Sequence, residues 1–366
     1  MKILALTKYP YEGPSSRYRF YNYRACFLAE GIEMRIEPFF SKSYFATLGM
    51  MKFFVVLTAY FRRLSVVCQI LLSPKKYDLL LLEYELFPYF PAWFEYLLYK
   101  RGVKYIVDYD DAIFHKYDMS QNRLIRGLLK NKIAKVMGYA EHVIVCNAYL
   151  EAYAKKYNDH TFRLPTVVLL DTYKEQMQAF QKEEDVFVIG WVGSRTTSIY
   201  ILEILPAIKR FVNVYKNVRF DLVGFDRNLL MGVNLEDYHL NTIAWSEEQE
   251  IKHILAFDVG IMPLHDDAWS RGKCGFKLVQ YMSCKKPVIA SPVGMNCALV
   301  KEGENGFLVK TTDEWFEAFE RLYLDKTLRE KMADNNFHTI ETEYNHELNC
   351  QKYSELIDMV LKEDKC

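Results

Sequence analysis

The sequence predicts an α/β protein of two doubly wound, Rossmann-like domains facing each other across a cleft. Three observations predict it. At 366 residues the chain is too long for one ordinary core. Short apolar runs alternate with amphipathic helical stretches in both halves, the order of parallel sheets wrapped by helices. A charged, strand-poor segment at 171–185 separates the halves. The expected division is a first domain at 1–170, a linker at 171–185, a second domain at 186–345, and a closing helix at 346–366 that is a candidate to pack back on the first domain.

In chain order, Lys2–Leu6 reads as a strand, the Gly- and Ser-bearing YEGPSSRYR as a turn, and Tyr21–Glu30 as a helix. Asp78–Leu82, Tyr105–Val107 and Val143–Val145 are the next apolar strands. Phe187–Val192 opens the second half and ends in Gly193-Ser194-Arg195; Tyr200–Tyr215 follows as a helix. Arg219–Val223, Val259–Met262, Pro287–Ala290 and Phe307–Val309 read as further strands, and the chain closes with helices from Thr312 onward. Open α/β sheets bind ligands beyond the carboxyl ends of their strands, so two such sheets suit two substrates.

The formal net charge is zero but unevenly spread. Residues 1–170 hold 24 Lys+Arg against 15 Asp+Glu, and the remainder holds 23 against 32. The basic first half is the one expected to meet an anionic surface. No recognition motif accompanies that charge, which excludes nucleic acid as a partner. The eight cysteines have no C-x-x-C pair and no ligand spacing with histidine, a pattern of free thiols in a reducing compartment, without a zinc site. The N-terminus MKILALTKYP opens directly into a strand without signal-peptide architecture, so a cytoplasmic location is expected.

The most informative stretch is RGKCGFKLVQYMSCKKPVIASPVG, Arg271–Gly294. Phe276–Ser283 reads as a helix with Leu278, Val279 and Met282 as its inward stripe. A helix N-terminus offers free N–H groups and partial positive charge. Gly275 lets the backbone approach closely, and Arg271, Lys273 and Lys277 add full charges. The pattern fits an anion, above all a diphosphate.

KLVQYMSCKKPVIASPVG, VKEGENGFLVKTTDEWFEAFERLYLD and FVIGWVGS resemble the donor-binding domain of family 4 glycosyltransferases, which have the GT-B fold. SSRYRFYNY, VDYDDAIFH and VCNAYLEAYAKKY resemble a bacterial envelope and polysaccharide branch of that family. The resemblance implies a retaining, metal-independent transferase that moves a sugar from a nucleotide-diphosphate sugar to a glycan or lipid-linked acceptor, with the first domain holding the acceptor. The family carries two glutamates around this helix; Gly272 and Gln280 stand in their places. Gln280 keeps the capacity to hydrogen-bond a ribose hydroxyl without charge. Glu247 falls near the nucleotide base, and Asp266 and Asp267 near the donor sugar.

Transfer places negative charge on the leaving diphosphate, and stabilising it is the main catalytic task. Arg195, at a strand end beside Gly193 and Ser194, and Lys277 are the catalytic candidates on the donor side, with Arg271, Lys273 and Gly275 binding the nucleotide. Asp108-x-Asp110, followed by Asp111, has the form of a metal-binding D-x-D, but the cation cluster already serves the diphosphate. Asp108, Asp110, Asp111 and His115 are read instead as acceptor-side groups, with Asp110 and His115 the candidates for handling the acceptor hydroxyl. Ser16 and Arg17, with Arg19, are expected near an anionic acceptor. No metal or cofactor is called for.

Phe45–Pro74 is rich in aromatic and aliphatic residues, but its uncharged run between Lys52 and Arg62 is nine residues, short of the roughly 20 that span a bilayer. It reads as an interfacial helix. A second basic helix at 122–137 carries Arg123, Arg126, Lys130, Lys132 and Lys135. Together they suggest an anionic membrane surface as a partner and a peripheral location on the inner face of the plasma membrane. Two other readings stay open: a non-catalytic nucleotide-sugar-binding scaffold, and a sugar-nucleotide epimerase of related architecture. A dinucleotide oxidoreductase is excluded because no G-x-G-x-x-G follows a strand.

Overall fold

Near-continuous apolar runs form the inner strands of two parallel sheets. In the computed structural model, which describes residues 1–182 and 185–362, the first sheet contains β1 (Lys2–Thr7), β2 (Glu33–Pro38), β3 (Leu79–Glu83), β4 (Tyr105–Tyr109), β5 (His142–Val145) and β6 (Thr161–Arg163). Their order is β2-β1-β3-β4-β5-β6. The second contains β7 (Phe187–Val192), β8 (Val218–Val223), β9 (Leu240–Ile243), β10 (Val259–Met262), β11 (Val288–Ala290) and β12 (Gly306–Leu308), ordered β12-β11-β10-β7-β8-β9. Each sheet reverses its winding once, between β1 and β3 and between β7 and β10. The carboxyl ends at such a reversal are where an open sheet takes a ligand.

Contacts divide the chain into two compact units. One holds Met1–Thr166, Gly272–Cys274 and the described part of 347–366; the other holds Val167–Arg271 and Gly275–His346. In the second unit alternate residues of each strand enter different cores. Ile189 and Trp191 of β7 join Phe220, Ile261 and Phe319, while Val188 and Val192 join Met262, Leu278 and Tyr281. Helices therefore cover both faces, which is why these strands carry little polar alternation. The first unit's core sets Ile3, Leu79, Leu81 and Ile106 against Phe27, Tyr353 and Ile357, so the closing helix His346–Lys362 belongs to that core. Residues 363–366 of the expected closing helix lie outside the described residues.

Several sequence expectations change. The strands not anticipated, β2, β6 and β9, all lie at sheet edges, where charged and polar residues replace the apolar run. Pro14–Arg19 is a helix rather than a turn, with Pro14 in its first turn, where a missing N–H costs nothing. Part of the expected linker is the helix Leu170–Ala179; its Glu183 and Glu184 lie outside the described residues. The segment read as one basic helix is two, Arg123–Leu129 and Lys132–Gly138. Lys132 is buried, paired with Glu85 and bonded to the Phe87 carbonyl, so it is not a surface cation. Gly49–Leu72 forms a single helix of 24 residues, long and apolar enough to cross a membrane. The shorter estimate counted only the run between charges. Finally, Cys26 and Cys350 are joined in a disulfide, which overturns the expectation that all thiols are free. Cys68, Cys146, Cys274, Cys284 and Cys297 are unpaired.

Candidate functional site

In the second unit the site grows from the helix Phe276–Ser283. Gly260 in β10 has no side chain, and a Cβ there would lie 2.4 Å from the Tyr281 ring. That gap admits the ring, and the Tyr281 hydroxyl accepts a 2.8 Å hydrogen bond from the Val192 N–H at the end of β7. The helix is thereby pinned with its N-terminus at the carboxyl edge of the sheet. Gly275 caps it at φ 69°, a conformation that other residues resist. One turn in, Lys277 Nζ donates to Thr197 Oγ1 at 3.2 Å and lies 4.6 Å from the centre of the Trp191 ring.

The loop after β7 carries Gly193, Ser194, Arg195 and Thr197, so Lys277 meets the segment containing three predicted donor residues. Arg195 lines a cavity of about 500 Å³ at the carboxyl ends of β7, β8 and β9, together with Phe225, Asp226, Thr242 and Trp245. Trp245 Nε1 donates to Glu250 Oε1 at 2.7 Å, and Gln280 Nε2 donates to Glu250 Oε2 at 2.8 Å. Gln280 is therefore buried with its amide nitrogen turned to a carboxylate. Glu250, absent from the sequence expectations, is the acid of this corner. Its partners are 5 and 30 residues away in sequence, and only the Trp245 spacing was local enough to be noticed. Glu247 is exposed in the first turn of the helix Glu247–Ala256. Arg271 ion-pairs Asp266 at 2.7 Å, so its charge is already partly answered.

The first unit contains the acceptor-side candidates and separates their roles. Asp108 is 2% exposed and takes Arg19 in a two-pronged pair, Nε–Oδ1 2.9 Å and Nη2–Oδ2 2.6 Å. Burial pushes its carboxyl up to about 6, against the pull of Arg19. With both oxygens engaged by an internal arginine, it is an anchor and not an acceptor ligand, which corrects its expected role. Asp110 turns the other way and accepts from the Tyr84 hydroxyl. Asp108 and Asp110 thus do not converge as a D-x-D cation site. Among the described residues no three His, Cys, Asp or Glu side chains are grouped to hold a metal.

His115 Nε2 contacts the Tyr149 hydroxyl at 2.8 Å and Nδ1 contacts Asp118 at 3.0 Å. Asp118 and Tyr149 thus fix the orientation of the ring. Asp111 is raised to about 7 by burial and by Asp110, opposed by Lys273 and Lys8. The Lys273 carbonyl accepts from Asn147 Nδ2 at 3.0 Å, and a Cβ on Gly272 would lie 2.4 Å from that of Ala112.

Ser16 Oγ donates to Glu83 Oε2 at 2.5 Å, and the Lys8 N–H donates to the same oxygen at 2.7 Å. Arg17 is buried, with its guanidinium 5.5 Å from the Tyr11 ring centre. Glu83 ends β3 beside the end of β1, at the winding reversal, and burial pushes it up to about 7. Tyr84, which follows it, sits at φ 64°. A bulky residue in that region is costly and is retained where a site needs the geometry. Neither Glu83 nor Tyr84 was singled out from sequence, because LLLLEYE reads as a strand with a polar end.

Residues 186–325 match the family model described as Glycosyl transferases group 1. The capsular polysaccharide biosynthesis glycosyltransferase CapM of Staphylococcus aureus is 25% identical over 205 residues, 54% of this chain and 52% of CapM. The chain thus spans about half the length of that relative. Sucrose-phosphate synthase from Thermosynechococcus elongatus aligns over 99% of this chain and 100% of its own, with TM-score 0.70 and 14% identity. Anabaena Alr3699/HepE, solved in complex with UDP, aligns over 98% and 100%, with TM-score 0.69 and 14% identity. The two doubly wound parallel sheets have the GT-B fold.

Proposed function

We propose, from a chain whose residues 186–325 are a group 1 glycosyl transferase domain in a GT-B fold, that the protein is a retaining, metal-independent glycosyltransferase. It moves a sugar from a nucleotide-diphosphate sugar to a glycan or lipid-linked acceptor in polysaccharide synthesis. The observation that carries this reading is the pinned N-terminus of Phe276–Ser283 with Lys277 held over the end of β7. The positive end of the helix dipole, the Lys277 ammonium held by Thr197 and the Arg195 guanidinium in the cavity wall are positive groups of the kind that neutralise a departing diphosphate. The adjoining cavity, with Phe225 and Trp245 in its wall, suits a nucleobase. Glu250 holds Trp245 and Gln280 in place through its two oxygens.

On the acceptor side Asp110, Asp111 and Glu83 are the carboxylates at the carboxyl edge of the first sheet. The uneven charge and the helix Gly49–Leu72 support a peripheral position on the cytoplasmic face of a membrane.

The test is Lys277→Ala, assayed for release of nucleoside diphosphate across a panel of sugar nucleotides with a mixed glycan acceptor. Loss of one such preorganised group costs roughly 100- to 1,000-fold in kcat. A variant that turns over at the wild-type rate refutes the role of Lys277. A wild type that binds donor yet never releases its sugar supports the scaffold reading instead.

A further inference from the structure

The helix Gly49–Leu72 has two unlike faces. Ala59, Arg63, Val67 and Ile70 are buried on one. Met50, Phe54, Leu57 and Phe61 recur at helical spacing on the other, with Phe53 beside them, and all five are exposed; Phe53 and Phe61 are each 64% open. The buried face is bonded inward. Tyr60 donates to the Pro88 carbonyl, Arg62 to the Phe39 carbonyl at 2.8 Å, and Arg63 to the Thr7 and Glu37 carbonyls at 2.6 and 3.1 Å. A helix tied laterally through its middle by a buried arginine does not span a bilayer, since spanning would strip those bonds in hydrocarbon.

A chain of aromatic contacts, partly buried at Phe87, links this helix to a second exposed ring. Tyr60 stacks near Phe87, Phe87 meets Phe90, and Phe90 meets Trp93 at 5.3 Å. Trp93 begins the helix Trp93–Lys100 and is 63% exposed. Between Glu37 and Asp78 the chain has six lysines and arginines and no acid. Of these Arg63 is buried and Lys42 pairs with Glu12, which leaves Lys52, Arg62, Lys75 and Lys76; two copies of a surface with that charge repel each other, whereas an anionic surface answers it. These inward bonds go to the last residues of β1 and β2 and to the segments that follow β2 and β3, at the carboxyl edge that carries Glu83.

We propose that the exposed face of Gly49–Leu72, extended by Trp93, docks on an anionic lipid bilayer and lays the bilayer beside the carboxyl edge of the first sheet. The acceptor delivered there is membrane-borne; this last clause rests on the glycosyl-transfer reading, and the docking does not. Rings enter the headgroup boundary while Arg62, Lys75 and Lys76, all exposed, remain at phosphate level.

The experiment is co-sedimentation of the full chain with phosphatidylcholine vesicles, with and without phosphatidylglycerol, at low and high salt. The wild type is expected to partition onto the anionic vesicles at least about tenfold better than onto neutral ones and to leave them at high salt, each basic group at the surface being worth roughly fivefold. The triple variant Phe53→Glu, Phe54→Glu, Phe61→Glu is expected to lose partition by more than about 100-fold with an unchanged melting temperature, since all three rings are exposed. Trp93→Ala retains the fold and weakens binding about tenfold. Equal partition of wild type and triple variant overturns the proposal. So does wild type left in solution with both vesicles, or a solution dimer that the same substitutions break. Nucleoside diphosphate release is measured in parallel: an active enzyme that ignores vesicles sinks only the docking, and a vesicle-bound protein without transfer sinks only the enzymatic reading.

Discussion

Asp108→Ala separates an anchoring acid from a reacting one. In the wild type the Arg19 and Asp108 side chains are 1% and 2% exposed and share two hydrogen bonds. Removing the carboxylate leaves a buried guanidinium with the Leu164 carbonyl at 2.8 Å as its near partner. Breaking one side of a buried pair costs about 3–5 kcal/mol, because the remaining charge is uncompensated. For a unit of this size each kcal/mol lowers the melting temperature by roughly 2–4 °C, so the expected loss is about 6–20 °C. Calorimetry reads it directly, and urea unfolding of the first unit checks it. The double variant Arg19→Met, Asp108→Leu should recover most of the loss by replacing the pair with apolar volume. If Asp108→Ala melts like the wild type but transfers no sugar, the anchoring argument is wrong and the carboxylate works on substrate.

Two further outcomes are expected. Glu83 is held near 7 in the folded protein, above its ordinary carboxylate value, so the folded state keeps its proton more tightly than the unfolded chain. Its contribution therefore stabilises as pH falls from about 8 toward 5 and is lost as pH rises through about 7, with a slope of at most about 1.4 kcal/mol per pH unit. Urea midpoints at several pH values should show that slope in the wild type and a flatter profile in Glu83→Gln; identical profiles would remove Glu83 as the cause. Gly275→Ala forces a side chain onto φ 69° and brings its Cβ within 2.7 Å of Leu299 and 2.9 Å of Met295. A cost of about 1–2 kcal/mol from the backbone alone is expected, with donor affinity reduced because the helix start shifts. Calorimetric titration with the nucleoside diphosphate of whichever donor the sugar-nucleotide panel selects measures the second part, and unaltered affinity would show that the cap does not position the anion site.

How legible each part was in the sequence follows from how local its cause is. Inner strands such as β7 and β10 are apolar throughout because both faces are covered, so their bounds could be read almost to the residue. The edge strands β2, β6 and β9 have one open side and too little apolar run to stand out. The helix Phe276–Ser283 was readable together with its cap, since Gly275, Lys277 and the inward stripe lie within one short window. Partnership across long separations was not. Arg19 lies 89 residues from Asp108, and nothing near VDYDD distinguishes an acid that holds an arginine from one that faces a substrate. The Tyr149 partner of His115 lies 34 residues away and was equally out of reach of a local reading. Glu250 was invisible as the counterpart of Gln280 for the same reason.

The helix His346–Lys362 and the Cys26–Cys350 bridge also bear on biosynthesis. The crosslink closes a loop of 324 residues, and Tyr353, Leu356, Ile357 and Val360 complete the layer over Phe27 and Ile32. A ribosome makes the first sheet early yet supplies its lid last. The intervening unit, whose own cores need nothing from that lid, has all its parts sooner. The first unit's core is therefore assembled from two stretches of chain with the whole second unit between them, while the second unit's cores draw on one.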